Sequence, residues 1–419
     1  MARRRRSADI VRACLALACA TAILCSSLSL TPAHADAFAT WLEGVWPEAK
    51  ALGVSRATFE AATRGLEPDR SLPDLDIPGR PITGAAQAEF VQTPAEYLKE
   101  ASFDRLAAQG RKLAEQHRAT LAKIEQQYGV PSGIVLAIWG RETGFGATKG
   151  SYNAIRVLST QAYLGRRKDF FRNELLMALK IVQEGHVALA DMRSSWAGAM
   201  GHVQFLPSGF YKYAVDFDGD GKRDIWNSVP DALASLAHQL AEEGWQRGQR
   251  WAYEVRVPKT VDCTIAEPSV TAPISEWLRR GYVLASGRKL SAAQAAVEAS
   301  LLMPAGLYGP AFLTPKNYFA LKAYNYSDLY ALFVGHLSDR ITDPRPFERP
   351  WDKVTQLKSA QLEAMQRRLT ELGIYRDKID GKAGMLTRSA LGAYQKANGL
   401  TLDCWPTAAV LDHMLARRK

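Results

Sequence analysis

The sequence predicts a mainly α protein with a smaller β part, an α+β fold, arranged in two globular domains. Of its 419 residues 47% are hydrophobic, which is enough for one large and one smaller core, and low-complexity disorder is not indicated. Residues 36 to about 345 mainly follow helical periodicity, as in the amphipathic stretch from Pro94 to Gly129. The alternating stretch from Trp251 to Pro258 is typical of a strand.

The chain begins with a segment typical of a secretory signal peptide. Residues 1–35 have a basic start, an apolar stretch from about Ala13 to Leu30 and an Ala-His-Ala cleavage site before Asp36. An uncleaved membrane anchor is the alternative, because the apolar stretch is almost long enough to span a bilayer. The segment therefore predicts export to the periplasm, with removal of residues 1–35.

The cysteines agree with an exported protein. Cys14, Cys19 and Cys25 lie inside the predicted signal peptide, and the residues before them fit lipid attachment poorly. We therefore expect a soluble periplasmic protein rather than a lipid-anchored one. Cys263 and Cys404 remain, some 140 residues apart, and an oxidising compartment permits a disulfide between them. The sequence does not assign that pairing, and two buried free thiols are the expectation.

The net charge indicates which kinds of binding partner suit the protein. The formal charge of +10 includes five arginines and one aspartate of the predicted signal peptide, so its removal leaves +6. A mildly basic exported protein is suited to an acidic polymer. Nucleic acid is disfavoured, because the compartment is wrong and no nucleic-acid-binding motif is present.

A carboxylate, Glu142, stands at the end of an unbroken apolar run. Pro131 suits the first turn of a helix, and the run from Ile134 to Trp139 is apolar on all sides, so this helix should be buried. Gly144 follows and should end it. A helix C-terminus and apolar walls both disfavour a negative charge and raise a carboxyl pKa, as a general acid requires. The alternative is a structural glutamate paired with the preceding arginine.

Two later segments carry polar groups that suit a sugar-binding cleft. Ser195 and Gln204 lie among small, flexible residues, where the backbone can approach a ligand and hydroxyl and amide groups can bond to it. Tyr324, Asn325 and Tyr330 add stacking and polar groups common in carbohydrate clefts. Tyrosines at helical spacing are more often core residues, so neither segment alone defines a site.

The ordered combination of these motifs resembles the membrane-bound lytic murein transglycosylase B family. The matching residues are Glu142-Thr143-x-x-Gly146, Ala199-Met200-Gly201-x-x-Gln204-Phe205-x-Pro207 and Tyr324-Asn325-x-Ser327. The resemblance covers residues 36 to about 340 and implies a lysozyme-like fold. It also implies that Glu142 is the sole catalytic acid and base and that Ser195 and Gln204 line the glycan cleft. His238-Gln239 replaces the family's usual Asn-Tyr, which puts one cleft contact in doubt.

Glycoside hydrolysis normally uses two carboxylates, whereas this sequence places only one. The resemblance implies that Glu142 protonates the β-1,4 bond between MurNAc and GlcNAc and then takes the proton of the C6 hydroxyl. Intramolecular attack would leave a 1,6-anhydro-MurNAc end, and the chemistry needs no cofactor. One alternative is a muramidase that uses water and a second acid, such as Asp169, Glu174 or Asp191. The other is a noncatalytic wall-binding protein, which the complete Glu142 motif argues against.

An acidic loop resembles a calcium-binding EF-hand loop. Asp216, Asp218 and Asp220 alternate at the first, third and fifth positions, and Gly221 occupies the sixth. Asn227 stands where the closing glutamate is expected.

The family resemblance implies a lengthened loop closed by Asp231, with Lys222 contributing its carbonyl. Calcium there would be structural and would fasten a cleft loop. The alternative is a solvated acidic turn, because Ser228-x-x-Asp231 also reads as an approximate capping box.

Three prolines between Asp343 and Trp351 indicate a stiffened linker. Beyond it, Gln366-x-x-Leu369, Asp380-Gly381-x-x-Gly384-x-x-Thr387 and Tyr394-Gln395 resemble a type 1 peptidoglycan-binding domain. A plain structural appendage is the alternative.

The predicted division is a catalytic domain at 36–345, a linker at 346–355 and a small three-helix module at 356–419. The expected partners are peptidoglycan glycan strands, with the cell-wall synthesis machinery as a further candidate, and we expect a monomer.

Overall fold

The computed structural model describes residues 32–80 and 88–417. Residues 1–31 of the predicted signal peptide, including Cys14, Cys19 and Cys25, lie outside the described residues. Within the described ranges the chain is mainly helical with small antiparallel sheets, so the predicted fold class is confirmed. Over the same ranges, no helix combines the length and the apolar character that crossing a membrane requires.

The first half of the described chain is a helical body. Its helices are α1 (Pro32–Glu43), α2 (Trp46–Ala51), α3 (Arg56–Thr63), α4 (Ala88–Val91), α5 (Pro94–Tyr97), α6 (Glu100–Gln116), α7 (Arg118–Tyr128), α8 (Ser132–Thr143), α9 (Ala154–Leu164), α10 (Lys168–Gln183), α11 (Pro207–Tyr213) and α12 (Val229–Glu242). Two short antiparallel strands accompany them, β1 (Tyr152–Asn153) and β2 (Arg193–Ser194).

The long amphipathic stretch forms three helices, α5, α6 and α7, rather than one. Lys99 adopts an extended backbone before α6, and His117 leaves helical geometry between α6 and α7. Gly129 ends α7 in the left-handed conformation, with a φ of 74°. Buried residues of α6 and α7, among them Phe103 and Ile124, join the main core, so each helix is held by tertiary packing.

A five-stranded antiparallel sheet with its own core follows. Its strands are β3 (Tyr253–Arg256), β4 (Thr271–Pro273), β5 (Val283–Leu284), β6 (Glu298–Leu302) and β7 (Ala311–Thr314), in the order β4-β6-β7-β3-β5. Two short helices, α13 (Ile274–Arg279) and α14 (Ala292–Ala295), complete this part. Fully buried Trp277 donates its indole N–H to the Ala299 carbonyl at 2.9 Å, which ties α13 to β6.

Two further helices, α15 (Lys316–Tyr324) and α16 (Asp328–Thr342), return to the helical body. Helix α8 packs against α16 and against α6, which places the end of α8 beside the start of α16. Ser327 caps α16 by accepting the backbone N–H groups of Leu329 and Tyr330.

The C-terminal module contains three helices, as predicted: α17 (Ser359–Glu371), α18 (Met385–Ala397) and α19 (Ala408–Ala416). Buried Gln366 organises it. Its amide nitrogen donates to the Asp380 carboxylate and to the Thr387 hydroxyl, and its oxygen accepts the N–H groups of Asp380 and Gly381. These hydrogen bonds explain physically why the motif joins a glutamine, an Asp-Gly turn and a threonine.

The expectation of two free thiols is wrong. Cys263 and Cys404 form a disulfide, with their Cα atoms 6.1 Å apart. The pairing arises because the module docks on the sheet, where Ser389 donates its hydroxyl to the Thr264 carbonyl at 2.6 Å. Because the two cysteines lie far apart in the sequence, we expected them to lie far apart in space. Docking of the module on the sheet brings the two segments together.

The predicted linker is packed against the preceding part of the chain. Phe347 stacks on His336 with ring centroids 3.6 Å apart, and the Glu254 carboxylate accepts the backbone N–H groups of Glu348 and Arg349. This segment therefore has fixed contacts despite its proline content. The domain boundaries given above stay a prediction.

Candidate active site

Glu142 lies in the last turn of α8, as the apolar run predicts. The residues from Ile134 to Trp139 are all buried, and Gly144 ends the helix with a φ of 58°. The Glu142 carboxylate is half-buried, and its Oε1 accepts the Tyr330 hydroxyl at 2.5 Å. The helix therefore places one carboxyl at a defined position, with the Tyr330 hydroxyl bonded to one of its oxygens.

Burial raises the pKa of Glu142 above the usual range of a glutamate. The Tyr330 hydrogen bond and the charge of Arg141 pull that pKa down, and the nearby charge of Glu89 pushes it up. Arg141, the alternative structural partner, instead donates twice to the Tyr97 hydroxyl, at 3.0 and 2.6 Å. Desolvation therefore keeps a proton on Glu142 at a higher pH than an exposed carboxyl would hold one.

A pair of tyrosines borders this carboxyl. The rings of Tyr324 and Tyr330 lie parallel, with centroids 6.2 Å apart, and the Tyr324 hydroxyl donates to the Val203 carbonyl. Burial holds the pKa of both hydroxyls well above 10, so both stay protonated and act as donors. The sequence had suggested Tyr330 as one of the stacking and polar groups of a carbohydrate cleft. It did not suggest the bond to Glu142, because a helical spacing does not show which residue a tyrosine hydroxyl reaches.

Ser195 and Gln204 occupy one loop and stabilise it from within. The Ser195 hydroxyl oxygen accepts the N–H groups of Ala197 and Ala199, at 3.3 and 3.1 Å. Gln204 adopts the left-handed conformation, with a φ of 53°, and its amide donates to the Gly201 carbonyl at 3.0 Å. This loop is therefore preformed.

The glutamate motif and this loop are joined by hydrogen bonds. Thr143 donates its hydroxyl to the His202 carbonyl at 3.2 Å and accepts the Gly146 N–H at 3.0 Å. A Cβ on Gly146 would stand 2.3 Å from the His202 ring, so the motif requires glycine there. Trp139 donates to His202 Nδ1 at 3.0 Å, and burial lowers the pKa of this histidine to about 4. Sequence reasoning missed His202, which fixes the loop as a neutral acceptor.

Asn325 is hydrogen-bonded to a second carboxylate, that of Glu89, which the sequence did not indicate. Its amide donates to Glu89 Oε1 at 3.2 Å, and its oxygen accepts the Ser327 N–H at 3.1 Å. Glu89 belongs to the short helix α4 and is half-buried. No motif surrounds it in the sequence, and its position near Glu142 arises only from tertiary packing.

The three acids of the muramidase alternative are placed differently. Glu174 is buried and accepts both the backbone N–H and the hydroxyl of Ser208, at 2.8 and 2.7 Å. It therefore fastens α11 to α10. Asp169 and Asp191 are exposed, at the start of α10 and in a short 3₁₀ turn. None of the three is among the groups that shift the pKa of Glu142.

In the acidic loop, carboxylate oxygens of Asp216, Asp218 and Asp231 lie within 4.8 Å of one another. Asp231 is buried and accepts three backbone N–H groups of the loop. Asp220 is not part of this cluster within the described chain, and it accepts the Lys222 N–H at 2.8 Å. Three of the five predicted ligand residues are therefore brought together.

The end of the acidic loop is fastened to the loop that carries Gln204. The Ile225 carbonyl accepts the His202 N–H at 2.9 Å, and a Cβ on Gly201 would stand 2.5 Å from that same oxygen. Lys149 also donates to the Trp226 carbonyl at 2.6 Å. An ordered acidic loop would therefore hold the cleft loop in place.

His238, at the position where the motif departs from the family pattern, is partly exposed and packs against neighbouring helices. Its Nδ1 lies 2.9 Å from the Tyr213 carbonyl oxygen, and its ring centroid lies 5.6 Å from that of Tyr128. These contacts join α12 to α11 and α7.

Residues 37–339 match the family model of the transglycosylase SLT domain, and residues 358–414 match that of a peptidoglycan binding domain. The chain belongs to the transglycosylase SLT domain family, so the resemblance in the sequence motifs is confirmed.

Among solved structures, SltB3 from Pseudomonas aeruginosa in complex with NAG-anhNAM-pentapeptide is similar, with a TM-score of 0.80 and 39% identity. That match covers 90% of this chain and 99% of SltB3. The Escherichia coli lytic transglycosylase SLT35 in complex with calcium has a TM-score of 0.52 and 28% identity, over 61% of this chain and 81% of SLT35.

The membrane-bound lytic murein transglycosylase B of Escherichia coli K12 is 36% identical over 138 residues. The match covers 33% of this chain and 38% of the length of that curated relative.

Proposed function

We propose that this protein is a lytic transglycosylase that cleaves the β-1,4 bond between MurNAc and GlcNAc and leaves 1,6-anhydro-MurNAc ends. The observation that carries the proposal is the environment of Glu142. One carboxyl with a raised pKa stands at a helix end, with the Tyr330 hydroxyl bonded to one of its oxygens. The SltB3 structure, which holds NAG-anhNAM-pentapeptide, supports the same chemistry.

In the proposed reaction, Glu142 first donates one proton and later accepts another. Protonated Glu142 gives its proton to the glycosidic oxygen, and the bond from that oxygen to C1 of MurNAc breaks. The C6 hydroxyl of the same sugar then attacks C1 and loses its proton to the Glu142 carboxylate. Since the nucleophile is already part of the substrate, its high effective molarity replaces activation of water. The Tyr330 hydroxyl stabilises the carboxylate formed between the two steps.

Ser195, Gln204, Tyr324 and Asn325 are the proposed glycan contacts. The Ser195 oxygen already accepts two backbone N–H groups, which leaves its hydroxyl proton to donate to a sugar oxygen. Gln204 is held on the same loop by its own amide, so its carbonyl oxygen is the group directed to a ligand. Tyr324 and Asn325 shape the wall that faces Glu142 through their bonds to Val203 and Glu89.

A structural Ca²⁺ in the acidic loop belongs to the same proposal. Asp216, Asp218 and Asp231 supply hard oxygen ligands, which suit calcium. The calcium complex of SLT35 supports this assignment. The ion would order the loop and has no part in the chemistry.

We further propose a periplasmic location after removal of residues 1–35, a monomeric protein, and peptidoglycan strands as the partner of both domains. Cell-wall synthesis proteins remain candidate partners.

Mass analysis of the soluble fragments from purified sacculi tests the activity. Muropeptides lighter by one water than the hydrolysis products, and lost in Glu142→Gln, are expected. Hydrolysis is the second candidate, because Glu89 supplies a further carboxylate near Glu142. Fragments with ordinary reducing ends would favour it.

A further inference from the structure

A buried ion pair connects the C-terminal module to the helix that carries Tyr330. Arg388 Nη2 of α18 lies 2.9 Å from Asp328 Oδ2 at the start of α16, and both side chains are 7% exposed. Exposed ion pairs contribute little to stability and are easily rearranged. A desolvated pair is different, because separating it leaves a buried charge unpaired, so its geometry is strongly maintained.

The other oxygen of Asp328 is satisfied without the module. Asp328 Oδ1 accepts the Tyr318 hydroxyl at 2.8 Å and the Lys322 ammonium at 2.6 Å. Burial raises the pKa of Asp328, but the charges of Lys322 and Arg388 together hold that pKa well below its usual range. Arg388 adds a charged hydrogen bond on the remaining oxygen, and this bond fixes the direction of the carboxylate from the side of the module.

Asp328 stands two residues before Tyr330, whose hydroxyl bonds to Glu142. Between them the backbone is helical and is capped by Ser327, so the segment moves as a rigid unit. A hydrogen bond weakens steeply when its length or angle changes. A small displacement of the start of α16 would therefore weaken the hydrogen bond from the Tyr330 hydroxyl to the Glu142 carboxyl.

We propose that Arg388 is a positioning residue for the reaction at Glu142, acting through Asp328 and α16 on the Tyr330 hydroxyl. The module is then part of the scaffold of the active site as well as a wall-binding unit. The inference rests on the proposed transglycosylase function.

Other contacts hold the module in place and provide a matched control. The disulfide between Cys263 and Cys404 and the packing of Met385 into the main core both attach it. Lys396, on the same helix α18, pairs with Asp262 at 2.7 Å, and its side chain is 63% exposed. Lys396→Met thus removes an ion pair across the same interface without touching α16.

The test uses the full chain and a soluble tetrasaccharide of alternating GlcNAc and MurNAc, so that binding to an insoluble wall plays no part. Arg388→Met is expected to lower kcat about tenfold with KM within about twofold, the scale of an energetic coupling between connected sites. Arg388→Lys should recover most of the loss, and Lys396→Met should match the parent chain. Unchanged kcat in a folded Arg388→Met variant would overturn the inference.

A double-mutant cycle separates positioning from general destabilisation. In a Tyr330→Phe background, Arg388→Met should cost less than about twofold in kcat, because the hydroxyl through which it acts is gone. A full additional tenfold loss would show that Arg388 acts by another route. If Arg388→Met does not fold, Arg388→Lys and Asp328→Asn in the same cycle decide the matter. Failure of the parent chain to cleave the tetrasaccharide or sacculi would instead count against the proposed function.

Discussion

Glu142 carries a carboxyl in surroundings that disfavour its charged form, and this affects both the stability of the protein and the availability of a proton. Burial raises its folded-state pKa above the usual 4.5, so ionising it in the folded protein costs stability. The contribution of the Glu142 carboxyl to the free energy of unfolding is fully present at pH values below its unfolded-state pKa. This contribution is lost as the pH rises through its folded-state pKa. The same cost keeps the proton available for transfer.

Glu142→Gln should abolish cleavage and raise the melting temperature at neutral pH, because the amide has no proton to transfer and no charge to bury. The gain in melting temperature should shrink as the pH falls and should disappear below 4.5, where the glutamate becomes protonated in the folded and unfolded chains alike. Thermal scans across pH and a muropeptide assay check both outcomes. Substantial cleavage by the folded variant would identify a different acid.

Tyr330→Phe should lower kcat roughly 10–100-fold, the equivalent of a charged hydrogen bond of about 1.5–3 kcal/mol. Because the hydroxyl lowers the pKa of Glu142, its removal should move the alkaline limb of the kcat/KM profile to higher pH. Tyr326→Phe is a matched control, since Tyr326 is 83% exposed. An unchanged alkaline limb would contradict the assigned hydrogen bond.

The sequence predicted Glu142 and its helix because an apolar run and terminating glycines are local signals. It did not predict Glu89 or the role of Tyr330. Their positions depend on how α4 and α16 pack against α8, which no local pattern encodes.

At the scale of elements, the acidic loop joins the cluster of Asp216, Asp218 and Asp231 to the loop that carries Gln204. Predicting helix α8 required only an apolar run and its terminating glycine, whereas the ligand set of the loop was only partly predictable. Asp220 matches the motif spacing, yet its carboxylate bonds to its own backbone turn, while distant Asp231 joins the cluster from α12. Motif spacing describes the backbone positions, and side-chain direction decides which oxygens converge.

Added Ca²⁺ should raise the melting temperature, with a stabilisation of about 2.7 kcal/mol when the free ion exceeds its Kd about 100-fold. Asp216→Asn should remove this gain, because it deletes a converging carboxylate, whereas Asp220→Asn should retain most of it. Differential scanning calorimetry with Ca²⁺, Mg²⁺ and a chelator measures the effect. No shift at millimolar Ca²⁺ would favour a solvated acidic turn.

At the scale of the whole molecule, the module and the preceding part of the chain form one connected structure. Sequence analysis predicted both units from their own motifs but treated the connection as a linker. Docking depends on complementary surfaces contributed by residues far apart in the chain, such as Arg388 with Asp328 and Cys404 with Cys263. Neither surface has a recognisable pattern alone.

Replacing Cys263 and Cys404 together by serine should lower the free energy of unfolding by about 2–5 kcal/mol, as for other native disulfides. Denaturant unfolding under non-reducing conditions measures the change, and reducing the parent chain should reproduce it. Thiol titration of the exported protein in denaturant should find no free cysteine. Two titratable thiols there would contradict the disulfide.

The most direct test of the central claim is digestion of sacculi in water enriched in heavy oxygen. Ring closure by the C6 hydroxyl takes no oxygen from solvent, so the fragments should end in unlabelled anhydro-muramic acid that borohydride does not reduce. A muramidase must insert solvent oxygen at the new end. Labelled, borohydride-reducible fragments would contradict the transglycosylase mechanism and would make Glu89 the first residue to examine as the base that activates water.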